Sequence, residues 1–334
     1  MKSNFEFLNR YWPALAQIGA AAESYVYSDA NACLYKLGMF GERLILEIFA
    51  FEHIKEPTID NTHANRIRLL KREGLIPKKI DDILYALRKT RNDAVHAGAD
   101  SVEDAKTLLS MTYNLAVWFM EVYGDWGYIA PAFVMPENVV QPDYESIIKE
   151  QEEKIVALSK QVEAVSTAAS TKTSKERAEK GETASESMEL SEAETRYLID
   201  EQLRKFGWEA DTNTLRYSKG TRPQKGRNLA IAEWPTDSAV GKNGYADYAL
   251  FVGVKLVGIV EAKKAAIDIP SVIDHQCKEY AKGIKDEHQE YIINQWGAYK
   301  VPFAFATNGR KYLKQIETKS GIWYLDLRNG ANAP

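Results

Sequence analysis

The chain has 334 residues, of which 45% are hydrophobic and 27% charged, and its formal net charge is −4. That length carries two domains, and the composition is ordinary for a soluble globular protein, which sets aside disordered and fibrous classes. Two cysteines, Cys33 and Cys277, lie far apart and no apolar run reaches the length of a membrane span, so neither a disulfide framework nor a membrane partner is expected and a reducing cytoplasm fits.

Residues 1 to about 125 read as helical. Residues 34–51 have apolar side chains at helical spacing, and residues 61–70 continue in that style. Gly74-Leu-Ile-Pro77 breaks the pattern, and a helix restarts at Lys79. The last helix of this part opens at Ser101, which is placed to cap it with Asp104 at the third helical position, and runs to about Tyr123. Ahead of it stands Arg88-Lys-Thr-Arg-Asn-Asp-Ala-Val-His96. Arg91, Asn92 and His96 match the R-x4-H motif, and the helical outline resembles the HEPN-like domain DUF4145. That resemblance implies a metal-independent ribonuclease site, usually formed across a dimer, in which His96 is a general acid or base and Arg91 stabilises charge on the phosphorane. A structural reading stands beside it: Arg91 and Asn92 cap or tie neighbouring helices, and His96 is a helix-end histidine. Asn92 and His96 are four apart and share a helix face under either reading.

Residues 124–142 are rich in proline and aromatics. Three prolines exclude a continuous helix, and the aromatics suggest a connector packed on the helical domain. Ile148, Ile155 and Val162 then recur every seven residues, with Gln151, Leu158 and Val165 in the intervening seam. This is a coiled-coil pattern of about three heptads, too short to be stable without a neighbour to pack on. The stretch after Val165 is polar and almost free of large apolar residues, so it reads as a solvated spacer that marks a domain boundary.

The second domain opens with a helix over residues 191–206. Ser191 and Glu194 have capping-box spacing, Tyr197, Leu198, Leu203 and Phe206 form an apolar stripe, and Gly207 ends the helix. Arg222, Lys225 and Arg227 follow in a Gly/Pro-containing loop, suited to a DNA backbone or simply to solvent. Residues 245–264 read as two strands joined by a turn at Gly253, Val254 and Lys255. The first is apolar at both parities, so it belongs at the centre of a sheet covered on both faces. Three ionisable residues interrupt the pair. Asp247 and Glu261 are equally far from Val254 and fall nearly opposite each other, while Glu261 and Lys263 share a face. Charges in a buried sheet need partners. Two close carboxylates with a lysine suit a divalent cation, Mg²⁺ by its preference for oxygen, and metal-assisted phosphodiester hydrolysis; a salt bridge inside the sheet is the alternative. A helix over residues 269–283 places Gln276 and Tyr280 on one face, consistent also with a core tyrosine and a surface glutamine. Further strands are expected at residues 299–306 and 322–327, with a turn at Asn308-Gly309. Residues 191–334 hold 21 Lys and Arg against 18 Asp and Glu, and the rest of the chain 22 against 29, so the mildly basic part is the one suited to nucleic acid.

Asp247, the hairpin and Glu261-Ala-Lys263 resemble the PD-(D/E)xK nuclease motif, with Ala246 where a proline usually precedes the aspartate. Gln276-Cys-Lys-Glu-Tyr280 is a Q-x-x-x-Y motif just after the E-x-K strand, and residues 301–309 resemble the strand and turn that follow. The ordered set, over roughly residues 190–328, is similar to the nuclease domain of type I restriction enzyme R (restriction) subunits. The resemblance implies Mg²⁺ ligated by Asp247 and Glu261, with Glu194 on the first helix either a further ligand or only a cap. It implies that Lys263 orients water and stabilises phosphate charge, and that Gln276 and Tyr280 position the substrate. The implied partners are double-stranded DNA and the methyltransferase and specificity subunits of a restriction complex, and target choice comes from another subunit.

The expected architecture is therefore multidomain. An all-α HEPN-like (DUF4145) domain with its connector spans 1–142, a coiled-coil helix and polar linker span 143–189, and an α/β restriction-endonuclease-like domain with a mixed central sheet flanked by helices spans 190–334. No G-x-x-x-x-G-K-[ST] loop occurs, so the ATP-driven translocase of such subunits is expected to be missing and ATP to serve only that motor. The chain reads as a piece of a longer subunit, or else as a naturally separate nuclease. Two rival functions are a HEPN ribonuclease and a non-catalytic module that docks the subunit on its partners.

Overall fold

The computed structural model describes residues 3–55, 61–138, 172–237, 244–263, 269–307 and 322–329. The chain divides into two compact units, Met1–Met188 and Glu189–Pro334.

The first unit is helical. Its described helices begin with α1 (Pro13–Tyr25), α2 (Ala30–Phe51), α3 (His63–Arg72), α4 (Lys78–Ala97) and α5 (Val102–Phe119). Helix α2 lies against α1, α4 and α5, because Leu34, Leu37, Phe40, Leu44, Ile45 and Ile48 recur at three- and four-residue steps and are all buried. Asp29 caps α2 by accepting from Ala32 N at 2.9 Å, and Ser101 caps α5 by accepting from Asp104 N at 3.2 Å, as its spacing predicts. Helix α5 runs on into a π-helical turn, Met120–Gly124. The connector packs on the unit where it is described: Phe133 lies 5.3 Å from Tyr113, and the Tyr113 hydroxyl donates to Pro131 O.

One expectation fails here. Part of the polar stretch read as a solvated spacer is a helix, α6 (Ser174–Ser187), belonging to the first unit. Thr173 and Glu176 close a capping box. Arg177 donates to Glu52 at 2.6 and 2.7 Å, and Trp118 Nε1 donates to Gly181 O at 2.9 Å. Lys79 Nζ satisfies the carbonyls of Ser185 and Met188 at the helix end. The buried residues are Arg177, Gly181, Ala184 and Ser185, so an ion pair and small side chains dock this helix where bulky apolar ones are usual. The coiled-coil stretch lies outside the described residues.

The second unit opens with α7 (Glu192–Lys205), whose capping box at Ser191 and Glu194 is formed. A six-stranded mixed sheet follows in sequential order: β1 (Glu209–Ala210), β2 (Asn228–Pro235), β3 (Tyr245–Val252), β4 (Lys255–Ala262), β5 (Phe303–Thr307) and β6 (Ile322–Asp326). The β1–β2 and β4–β5 pairs are parallel and the rest antiparallel. Strand β3 is buried on both faces, as its two-sided apolar pattern requires. Ala249 and Phe251 join one core with Ile259, Ala304 and Tyr280, and Tyr248 and Leu250 join the other with Ile199 and Val260. The turn differs in detail. It has two residues, Gly253 and Val254, with Gly253 at φ 59°, a left-handed value that glycine adopts without steric cost. The missing turn residue reappears as a bulge, since Phe251 pairs with Leu256 but Leu250 with Gly258. The helix expected over residues 269–283 forms over residues 269–282 and carries a π-helical turn, Ile273–Cys277, between α8 (Ile269–Val272) and α9 (Lys278–Lys282). The Asn308-Gly309 turn lies outside the described residues. Among the described residues no helix is long and apolar enough to cross a membrane.

Candidate active site

The bulge in the hairpin sets the geometry of the carboxylates. Beyond it Tyr248 pairs with Val260, so the next step of the register puts Asp247 across from Glu261. Ala262 N donates to Asp247 Oδ2 at 2.8 Å. Lys263 Nζ pairs with Glu261 Oε1, so all three motif residues meet at one end of the β3–β4 hairpin.

Glu261 is only 4% exposed, and its Oε2 is buried without a hydrogen-bond partner. Burial, with the Asp247 carboxylate beside it, pushes the Glu261 carboxyl up to about 7 against the pull of Lys263. Asp247 is raised as well, by burial, although Arg196 and the Ala262 amide favour its charged form. Two neighbouring carboxyls whose ionisation is opposed by burial and by each other form a pair that a proton or a cation relieves.

A second irregularity faces the first. Strands β2 and β3 pair from Asn228↔Val252 to Ala232↔Tyr248 and again from Trp234↔Ala246, but Glu233 and Asp247 do not pair. Both strands change face there. Ala230 and Ala232 share a core with Tyr248 and Leu250, whereas Trp234 and Ala246 lie in the other core, with Ile231 and Ala249. Glu233 has φ 52°, a left-handed value that costs a non-glycine residue on the order of 1–2 kcal/mol. Arg196, on α7, bridges the step: Nη2 is 2.9 Å from Asp247 Oδ1 and Nη1 is 3.3 Å from Glu233 Oε1. Arg196 also reaches Glu192 at 3.2 Å, and Arg216 reaches Glu233 at 3.0 Å.

The other expected residues divide. Tyr280 is buried, and its hydroxyl is raised by burial and then by the charges of Glu261 and Asp247, which locates it beneath the site. Gln276 stands in the π-helical turn with its Oε1 buried and unpaired. The wide turn carries it off the simple i, i+4 relation to Tyr280, and such turns recur at functional sites. Between them Cys277 donates to Phe305 O, under the same carboxylates. Glu194 takes the capping role, accepting from Ser191 N at 2.7 Å. Among the described residues no group of three or more His, Cys, Asp or Glu gathers as a metal site. In the loop ahead of β2, Arg227 is paired with Glu209, and Arg222 lies 3.7 Å over the Tyr217 ring.

In the first unit, Arg91 and Asn92 belong to α4, with Asn92 exposed. Arg91 Nη1 is 2.6 Å from Glu42 Oε2, and its guanidinium lies over Tyr35 at 5.3 Å. A Cβ at Gly38 would collide with the Arg91 side chain, so Arg91 ties α4 to α2 at a close approach. His96 sits near the end of α4, and its side chain lies outside the described residues.

Arg196 and Glu233 are the site residues that motif reasoning passes over. The sequence holds a trace of the first, because Glu192 and Arg196 have i, i+4 spacing. It holds none of the second, since a strained bulge residue in an apolar strand has no compositional signature.

The family model described as "Type I restriction enzyme EcoKI endonuclease subunit second domain" matches residues 209–334, and the domain of unknown function DUF4145 matches residues 20–164. The type I restriction enzyme EcoKI endonuclease subunit of Escherichia coli (strain K12) is 32% identical over an alignment of 405 positions, gaps included, covering 99% of this chain and 34% of that protein. The chain thus spans about a third of the length of this relative. No solved structure matches the chain.

Proposed function

The chain belongs to the family of type I restriction enzyme endonuclease subunits, and from that premise we propose that its second unit is a Mg²⁺-dependent DNA endonuclease of the PD-(D/E)xK type, with a restriction-endonuclease-like fold. The observation that carries the reading is the pairing of half-buried Asp247 with buried Glu261, with Lys263 attached. These residues fit a hard divalent cation. Glu261 Oε2 is buried with no donor, both carboxyls are oxygen ligands, and a cation removes the repulsion that opposes their ionisation. A bound Mg²⁺ supplies charge stabilisation at the scissile phosphate and a more acidic water.

The chain's own groups supply the rest. Asp247 is oriented by the Ala262 amide at one oxygen and by Arg196 at the other. Lys263, 24% exposed against 5% for its partner Glu261, is the group that can turn outward to the phosphate, hold the attacking water and offset charge as it develops. Tyr280 lies close enough to the carboxylates to feel their charge, and Gln276, whose Oε1 is buried and unpaired, is the further candidate for positioning the substrate. The substrate is double-stranded DNA, and the methyltransferase and specificity subunits of a restriction complex are the proposed partners. The role of Arg91 in tying α4 to α2 favours a packing function for that motif and gives no support to a ribonuclease in the first unit.

Lys263→Ala tests the assignment of roles. It should lower Mg²⁺-dependent nicking of supercoiled plasmid by on the order of a hundredfold or more without weakening divalent-cation binding, since the lost ammonium competes with the cation for Glu261. Unchanged nicking would remove Lys263 from the chemistry.

A further inference from the structure

We propose that Arg196 and Glu233 form a relay at the acidic pair: Arg196 neutralises Asp247 in the metal-free chain and passes to Glu233 when a divalent cation takes Asp247. The inference rests on the reading of Asp247 and Glu261 as the cation-binding pair.

Three observations carry it. One guanidinium touches both carboxylates, Asp247 at 2.9 Å and Glu233 at 3.3 Å. A shift of its weight from one to the other is a side-chain adjustment and needs no movement of α7. Next, Glu233 reaches this place through a backbone conformation unfavourable for its residue type, at a step where β2 and β3 both abandon their pairing. A surface glutamate with no task has no reason to hold such a geometry. Finally, the charges are close to balance. Glu192, Glu233, Asp247 and Glu261 are joined with Arg196, Arg216 and Lys263 in one ion-pair network. Among the described residues, with every carboxylate ionised, the network is one negative charge in excess. A divalent cation turns that into one positive charge, the complement of a single phosphodiester. Arg196 therefore competes with the cation for Asp247, and Glu233 is a positioning residue that lowers the cost of displacing it.

Cation binding can be read without catalysis, by titrating the full chain with Mn²⁺ alone and following the free-ion electron paramagnetic resonance signal. Arg196→Gln should bind Mn²⁺ about tenfold more tightly than the unaltered chain, and Glu233→Gln about tenfold more weakly. The Arg196→Gln/Glu233→Gln double variant should match Arg196→Gln, because Glu233 acts through Arg196. A role in packing alone predicts no tightening in any variant. Thermal melts establish that each variant is folded; if Arg196→Gln melts early, Arg196→Met, which keeps the buried stem, replaces it with the same expected outcomes. The relay is overturned if Arg196→Gln leaves Mn²⁺ affinity unchanged or weaker. It is also overturned if Glu233→Gln weakens binding equally with and without Arg196, which is a plain charge effect. Glu261→Gln separates the two levels. If it binds Mn²⁺ like the unaltered chain, the pair is not the cation site and the relay falls with it. If it loses binding while the double variant is additive, the relay alone falls.

Discussion

Glu233 stands opposite Asp247 across the β2–β3 pair, at the step where the two strands stop pairing and exchange faces. The exchange brings both carboxylates to Arg196.

Asp247→Asn is expected to abolish Mg²⁺-dependent nicking, by a hundredfold or more in rate, while the chain stays folded. The asparagine carbonyl can still accept from the Ala262 amide, and Arg196 retains Glu192 and Glu233. Nicking rates and circular dichroism melts measured on the same preparation check both halves. A variant that cuts normally removes Asp247 from the site.

Asp200 gives a dependence on pH. It is buried on α7, where its carboxylate accepts from Thr212 N at 2.7 Å and bonds the Thr212 hydroxyl, which in turn bonds Tyr248. Burial pushes its carboxyl from 3.8 up to about 6 against those hydrogen bonds. The folded chain therefore holds this proton after the unfolded chain has released it. Its contribution to stability is full below about pH 4 and is lost as pH rises through about 6, amounting to roughly 3 kcal/mol at most. Urea unfolding between pH 4 and 7 should show a steeper fall for the unaltered chain than for Asp200→Asn. Parallel curves would contradict the raised carboxyl.

Arg91→Ala is expected to cost the first unit about 1–2 kcal/mol, through the lost Glu42 pair and the stem packed against Gly38, and to leave plasmid nicking unchanged. A thermal melt with the nicking assay reads both. Loss of a metal-independent RNA cleavage activity without loss of stability would instead favour the HEPN reading.

Arg177→Ala should release α6. The pair it breaks is buried, at 6% and 1% side-chain exposure, and removal of one partner strands Glu52 at a cost of about 3 kcal/mol. Limited proteolysis should then cut within residues 172–188, and Trp118 fluorescence should shift as its indole loses Gly181 O. Unaltered proteolysis would show that the ion pair does not hold the helix.

How far the sequence could be read follows from how local each feature is. The double-sided apolar pattern of residues 248–252 is a property of one strand, and it predicts the central, doubly covered position of β3. The meeting of Asp247 and Glu261 was also legible, though by compensation: a turn one residue shorter than expected is corrected by a one-residue bulge. The docking of α6 was not, because composition identifies packing by bulky apolar residues, and this helix packs through an ion pair, a glycine and an alanine. Arg196 and Glu233 are not legible in this way, because their meaning lies in a tertiary contact between α7 and a strained step of β2. Neither element announces that contact by its own periodicity.

The central claim is that Asp247, Glu261 and Lys263 form a metal-dependent nuclease site, and one comparison tests it most directly. Supercoiled plasmid and a structured RNA are incubated with the chain in Mg²⁺ or in EDTA, beside Glu261→Ala and His96→Ala. The account predicts plasmid nicking that needs Mg²⁺, survives His96→Ala and disappears in Glu261→Ala. RNA cleavage that persists in EDTA and is lost only in His96→Ala would contradict it, as would plasmid nicking by Glu261→Ala at the rate of the unaltered chain.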